Sequence, residues 1–108
     1  MTSVRITSPA EYDRHEAEIR FRIKVGNANP SVSVTERALY VACESFGISE
    51  SEPLVAYAIV GGLLEEVLSD LIRLCEEVQR TYLITHLDVL RITGHEPGLP
   101  HVPKRWRA

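Results

Sequence analysis

Three basic residues alternate with apolar residues between positions 19 and 25, and we call them the basic row: Arg20, Arg22 and Lys24. Strict alternation of apolar and polar residues is typical of a half-buried strand, whose side chains point to opposite faces in turn. The pattern therefore predicts a strand with a row of cations on its exposed side. Such a row could contact successive phosphates or enter the major groove of DNA. The alternative is a strand whose charged side only faces water.

The elements that follow this strand occur in the order of a known DNA-binding family. A helix, a turn at Gly47 and a second, longer helix come after it. In this order residues 19–70 resemble the ribbon-helix-helix family of dimeric DNA-binding proteins. The resemblance implies that the strands of two subunits pair and that the basic row contacts DNA. The chain departs from the family pattern at residues 26–33, which separate the strand from the first helix.

A second cationic segment surrounds the only tryptophan, and it consists of Lys104, Arg105, Trp106 and Arg107. Trp and Arg are frequent at binding hot spots, so these residues are candidates for contact with a partner. Stacking on nucleic acid is an alternative, and a solvated tail is another. Prolines and glycines interrupt the chain before them, so residues 94–108 are predicted to form an extended Pro/Gly-rich basic tail.

No motif in the sequence specifies an enzyme. The chain lacks a phosphate-binding glycine loop, a Cys-x-x-Cys pair and a His-Glu-x-x-His motif. The carboxylates of the long helix are predicted on its polar side, without the Glu-x-x-His spacing of metal sites in helical bundles. The irregular spacing of His95, Glu96 and His101 favours solvated residues over a metal site. We therefore expect a non-catalytic protein without a cofactor.

The longest predicted element is a helix from about residue 52 to residue 80 or beyond. It begins after the capping and acidic residues that precede Pro53. Apolar residues recur along it in steps of three and four, as in a coiled-coil seam: Val60, Leu64, Val67, Leu71, Leu74 and Val78. The apolar side is wider than one short chain can cover, so we expect a homodimer with these six residues at its interface. Gly61 and Gly62 predict a kink or a close contact with another helix.

Two segments allow alternative structures. Residues 9–25 form either a short helix beginning at Ser8 and Pro9 followed by a strand, or one continuous helix; the alternation favours the first. Residues 81–85 favour a strand locally, whereas Thr85 to Asp88 could restart a helix. We expect helix to about Ile92 across this second segment.

Composition and charge restrict the partners and the location of the protein. The chain has 108 residues, of which 44% are hydrophobic and 25% charged, and its net charge is −3. Residues 35–93 contain ten acidic and four basic side chains, so this part as a whole repels nucleic acid and anionic lipid. Without a secretory signal or a long apolar run, we expect a cytoplasmic protein with no membrane contact and with Cys43 and Cys75 reduced.

Together these patterns predict an α+β fold dominated by helices. A short N-terminal β element is expected to precede two or three helices, with residues 1–93 forming a single domain and residues 94–108 the tail. An all-α fold is the alternative. The expected function is that of a small non-catalytic interaction or regulatory protein that forms a homodimer and binds an unidentified protein. A ribbon-helix-helix-like DNA-binding regulator is the second hypothesis.

Overall fold

The computed structural model describes residues 4–75 and 77–94, and it shows an α+β fold. Within these residues the elements follow in the order β1 (Val4–Ile6), β2 (Glu11–Asp13), β3 (Glu18–Val25), β4 (Ser31–Thr35), α1 (Glu36–Ser45), α2 (Pro53–Leu74), β5 (Thr81–Ile84) and α3 (His86–Thr93). The predicted fold class is confirmed, and the all-α alternative is excluded. In the described ranges, no helix combines the length and the apolar composition needed to cross a membrane.

Strand β3 is the centre of the sheet and confirms the strand predicted from alternation. Its apolar residues face inward and are buried, while the basic row is exposed. Strand β4 pairs with one edge of β3 in antiparallel fashion, and β1 and β2 share the other edge. Strand β5 extends the sheet by pairing in parallel with β4. Both edges of β3 are therefore occupied within the chain, so β3 cannot pair with its counterpart in a second copy as a ribbon-helix-helix protein requires.

The helix expected at Ser8 and Pro9 is wrong, and so is the single helix over residues 9–25. The Ser8 hydroxyl does not cap a helix but accepts the backbone N–H of Arg22 at 2.7 Å. The Thr7 N–H donates to the Arg22 carbonyl at 2.9 Å, and β2 follows at Glu11. A cap satisfies only a few backbone groups, whereas pairing with the long β3 satisfies a whole ladder. The local capping signal was therefore overridden.

The predicted start of the long helix at Pro53 is confirmed, and the shorter helix before it, α1, begins at Glu36. Thr35 caps α1, because its hydroxyl accepts the Ala38 N–H at 3.1 Å. Gly47 follows the end of α1 with a φ of 73°, a left-handed conformation that glycine adopts without strain. Pro53 occupies the first turn of α2, where its missing N–H costs no hydrogen bond.

Helix α2 ends at Leu74, so the expected continuation to residue 80 or beyond is wrong. Strand β5 occupies residues 81–84 and lies in register against β4. The β-branched and aromatic residues there already favoured a strand, and β4 supplies the partner that makes the strand stable. The restart of a helix after Thr85 is confirmed by a capping box, in which the Thr85 N–H donates to Asp88 Oδ2 at 2.9 Å.

The core lies between the helices and one face of the sheet. Buried apolar side chains from β3, β4 and β5 meet those of all three helices in one cluster. The Phe21 ring of β3 lies against the Tyr57 ring of α2, with 5.1 Å between the ring centroids. The opposite face of the sheet carries the basic row and is not covered by any helix of the described residues, so we call it the open face.

One carboxylate joins β2, α1 and the loop before α2. Glu36 accepts hydrogen bonds from the hydroxyls of Tyr12 at 3.1 Å and Tyr40 at 2.7 Å. The Tyr40 hydroxyl also lies 3.0 Å from the Ser51 carbonyl oxygen. The hydrogen bond to Glu36, together with burial, raises the pKa of Tyr40 to about 12 from 10.0. No local pattern in the sequence indicates this cluster, because its residues are far apart along the chain.

The Tyr40 hydroxyl predicts a loss of stability at alkaline pH. Because the pKa is higher in the folded than in the unfolded protein, the stabilisation is complete below pH 10.0 and is lost as the pH rises toward about 12. Tyr40→Phe should lower the free energy of unfolding near neutral pH by about 1 kcal/mol, the usual net value of a hydrogen bond. Urea denaturation at neutral and alkaline pH measures both effects. An unchanged alkaline dependence in the variant would contradict this role.

Candidate functional site

The open face brings together basic residues from two strands. Arg5 of β1 lies opposite Lys24 of β3 in the register of the sheet, and Arg22 is two residues away on the same face. In the described part of the chain, none of the three forms an ion pair with a carboxylate. We call these three residues the cationic end. Sequence analysis missed Arg5, because only the pairing of β1 with β3 places it beside Lys24.

Arg20, the remaining member of the basic row, is neutralised by its neighbours. Its guanidinium lies 2.8 Å from Asp13 and 2.6 Å from Glu18, and the hydrogen bond to Glu18 raises its pKa further above the usual value. The backbone N–H of Glu16, and to a smaller extent Arg20, lower the pKa of Asp13. The structure therefore divides the basic row. Arg20 holds the turn between β2 and β3, while Arg22 and Lys24 remain available to an anion.

A shallow groove of about 370 Å³ lies beside Arg22 of the cationic end. Its walls include the hydroxyls of Ser8 and Ser31 and also one carboxylate, Glu11. Arg22 Nη1 donates to the Asn29 carbonyl at 3.2 Å, which holds its side chain over the sheet. Hydroxyl and guanidinium groups are the side chains that bind phosphate oxygens in nucleic-acid complexes. The chemistry that this surface offers is the binding of an anion.

The six residues predicted for a dimer seam are not on one exposed surface. Val60, Leu64 and Val67 are buried in the core of the chain itself, and Leu71 is half-buried against it. Leu74 is the last residue of α2 and is 66% exposed, and Val78 lies beyond the helix. The three-four spacing correctly identified a buried face, but the sheet and α1 cover that face. The expectation of a homodimer itself stays a prediction.

A different side of α2 presents apolar residues to solvent. Leu54, Val55 and Ile59 are 48%, 47% and 41% exposed, and Ala58 and Gly62 are exposed between and beyond them. We call these five residues the α2 patch. The signal in the sequence was the run from Pro53 to Leu64, which is apolar on every side of the helix and therefore exceeds what one core can bury.

The two glycines of α2 make no close contact within the described chain. Helix α2 runs through Gly61 and Gly62 without interruption. A Cβ atom built at either position meets no atom within 4 Å outside the helix's own backbone. Within the described residues, these glycines thus do not make the predicted close contact with another helix. Gly62 lies on the surface.

An acidic residue on α2 anchors α3. The Asp70 carboxylate lies 2.8 Å from Arg73 on its own helix and 2.9 Å from Arg91 on α3. These hydrogen bonds, first from Arg73 and then from Arg91, lower the pKa of Asp70. The ion pair with Arg91 holds the last turn of α3 beside the C-terminal part of α2.

The remaining candidate residues carry no assembled chemistry. Cys43 and Cys75 are free thiols; Cys43 is buried, which raises its pKa, and Cys75 is half-buried. In residues 4–75 and 77–94, no three His, Cys, Asp or Glu side chains are grouped so as to hold a metal ion. The histidines at 95 and 101 and the predicted partner-binding residues 104–107 lie outside the described residues.

Comparison of the chain with protein-family models, with curated proteins and with solved structures finds no match. No functional residue can therefore be transferred from a relative, and the proposals below rest on the geometry and charge of the exposed surfaces.

The open space above Gly62 predicts that a side chain there stabilises the protein. In dilute, monomeric protein, Gly62→Ala should raise the free energy of unfolding by about 1 kcal/mol, because alanine restricts the unfolded chain and favours helix. Gly47→Ala is the matched control and should destabilise, since its φ of 73° strains any side chain. Urea denaturation of both variants provides the test. Destabilisation by Gly62→Ala would show that something outside the described residues fills this space.

Proposed function

We propose that the protein is a non-catalytic binding protein that forms a homodimer through the α2 patch. The observation that carries the proposal is the exposure of Leu54, Val55 and Ile59 along one helix. No charged side chain interrupts α2 between Pro53 and Leu64. Burial of an aliphatic side chain gains roughly 1.5–3 kcal/mol, so association would recover free energy that the isolated chain does not.

The shape of the α2 patch supports a second copy of the chain as the occupant. Bulky Leu54 and Val55 lie at one end of the patch. Gly62 lies at the other end, next to Gly61. If two helices cross in antiparallel fashion about Ala58, the bulky end of each copy faces the glycines of the other. A two-fold axis requires this kind of self-complementary surface. Glycines also allow the close approach of two backbones.

Other properties support an interaction protein in a reducing compartment. Both cysteines in the described residues are unpaired, as is usual for proteins of the cytoplasm. The carboxylates of Glu36 and Asp70 bind side chains of neighbouring elements, which are structural contacts. We accordingly place the protein in the cytoplasm with a regulatory or scaffolding role, in which the dimer presents its remaining surfaces to a protein partner.

Charges placed in the α2 patch should dissociate the dimer without unfolding the chain. At about 10 µM, a dimer with a Kd of about 1 µM is mostly assembled, so wild-type protein should sediment at twice the monomer mass of 12.1 kDa. Val55→Glu/Ile59→Glu should sediment as a monomer with unchanged circular dichroism. Leu74→Glu alters an apolar residue of the same helix outside the patch, and it should remain dimeric. A monomeric wild type, or dissociation of the control alone, would refute the proposed dimer.

The cationic end favours a second candidate function, namely binding of nucleic acid on the open face. Arg5, Arg22 and Lys24 lie side by side without carboxylate partners among the described residues, whereas the acidic helices cover the opposite face of the sheet. A polyanion could therefore approach the sheet without passing the negative helices. The contacts available are to phosphates, so binding would depend little on sequence. Unlike a ribbon-helix-helix protein, this sheet would bind as one subunit.

Removal of the cationic end should weaken binding to duplex DNA and flatten its salt dependence. Arg5→Ala/Arg22→Ala/Lys24→Ala should reduce the log–log salt slope by about 0.9 for each phosphate that the variant no longer neutralises. Fluorescence anisotropy with a labelled duplex, titrated over a series of salt concentrations, measures this slope. Arg14→Ala, on the exposed turn between β2 and β3, is the control and should retain binding. Absence of wild-type binding at about 50 mM salt would rule this function out.

A further inference from the structure

We propose that the dimer bridges two separate DNA duplexes, with one duplex bound on the open face of each copy. Bridging rests on both candidate functions proposed above, namely association through the α2 patch and binding of phosphates by the cationic end. It also requires that the two cationic ends of the dimer point in opposite directions. The position of the α2 patch on its helix and the layers of the fold meet this requirement.

The α2 patch lies on the side of α2 that points away from the core. An α-helix has about 3.6 residues per turn, so residues nine positions apart are about two and a half turns apart and lie on opposite sides. Val55 is exposed, whereas Leu64, nine positions later, is fully buried. Ile59 is exposed, whereas Leu68, again nine positions later, is fully buried. The residues that would contact a second copy are therefore opposite to those that face the sheet.

The sheet and α2 separate the α2 patch from the cationic end. Helix α2 contacts β1 and β3, which are the two strands that carry the cationic end. Phe21 of β3 points toward this helix, and its ring lies 5.1 Å from that of Tyr57. Arg22 and Lys24 alternate with the buried residues and therefore point to the open face. The order through the described chain is thus cationic end, sheet, α2 and α2 patch.

Association through the α2 patch would place the two open faces on opposite outer surfaces of the dimer. The layers across the dimer would be sheet, helix, helix and sheet, with a cationic end outermost on each side. Two helices, each about 10 Å wide, keep the open faces more than about 20 Å apart. One straight duplex cannot contact two surfaces that point away from each other. Two duplexes at this separation repel each other little, because the Debye length is about 10 Å at 0.1 M salt.

A capture experiment with two duplexes measures bridging directly. One DNA duplex is fixed to beads and a second carries a fluorophore, so retention of the fluorophore reports bridging. At about 10 µM protein and about 50 mM salt, the wild type should retain the labelled duplex. Val55→Glu/Ile59→Glu should still bind one duplex but lose this retention, because a monomer has a single cationic end. Arg5→Ala/Arg22→Ala/Lys24→Ala should lose both binding and retention.

Leu74→Glu/Leu87→Glu is the matched control for the monomeric variant. It also replaces two exposed apolar residues by glutamate, but both lie outside the α2 patch. This control should retain the labelled duplex as the wild type does, and circular dichroism should show that both double variants are folded.

The salt dependence of binding to a single duplex distinguishes bridging from binding of one duplex by both subunits. If each duplex meets one cationic end, wild type and Val55→Glu/Ile59→Glu should have the same log–log salt slope. If both cationic ends bound the same duplex, the variant would neutralise half as many phosphates and its slope would be halved. A halved slope would therefore overturn bridging.

The results also separate a failure of bridging from a failure of the proposed function. Wild-type protein that sediments as a dimer and binds duplex DNA, yet does not retain the second duplex, refutes bridging alone. Equal retention by the monomeric variant refutes it as well. Wild-type protein that stays monomeric, or that does not bind a single duplex, refutes the corresponding proposed function and bridging together.

Discussion

The inward face of β3 is the surface on which the rest of the structure depends. Its four apolar side chains are 0–4% exposed, and β1, β2, β4 and α2 all contact this strand. Each buried aliphatic or aromatic side chain contributes roughly 1.5–3 kcal/mol, so the register of β3 is strongly determined. A shift by one residue would bury the basic row instead, at a prohibitive cost in desolvation. Fixing β3 therefore also fixes which cations reach the open face.

The same constraint separates the charges of the molecule. Helices cover one face of the sheet and carry exposed carboxylates such as Glu65 and Glu66, while the open face keeps its cations. Within that face, Asp13 and Glu18 neutralise Arg20 and leave the cationic end without a carboxylate partner among the described residues.

Helix α2 has more apolar surface than the sheet and α1 can cover. The buried side holds Val60, Leu64 and Val67 in the core. Another side of the same helix exposes the α2 patch to solvent. Toward its C-terminal half the exposed side of the same helix becomes acidic at Glu65 and Glu66. One helix thus supplies a core face, an exposed apolar patch and an exposed acidic stretch.

Local patterns in the sequence determined the strand β3, the capping box of α3 and the proline start of α2, because alternation, capping boxes and proline act over a few residues. The end of α2 and the strand β2 were decided only by tertiary structure, since a short strand forms where a partner strand is present. The residues of β5 favoured a strand locally, and pairing with β4 decided between that strand and a longer helix. Likewise, the spacing of Val60, Leu64 and Val67 identified a buried face, but spacing does not reveal whether a sheet or a second subunit covers it. Arg5 lies beside Lys24, and Tyr12 lies within hydrogen-bond distance of Glu36, only because strands that are distant in the chain pair with each other. Contacts of this kind depend on which backbone ladders form, and no local residue pattern records them.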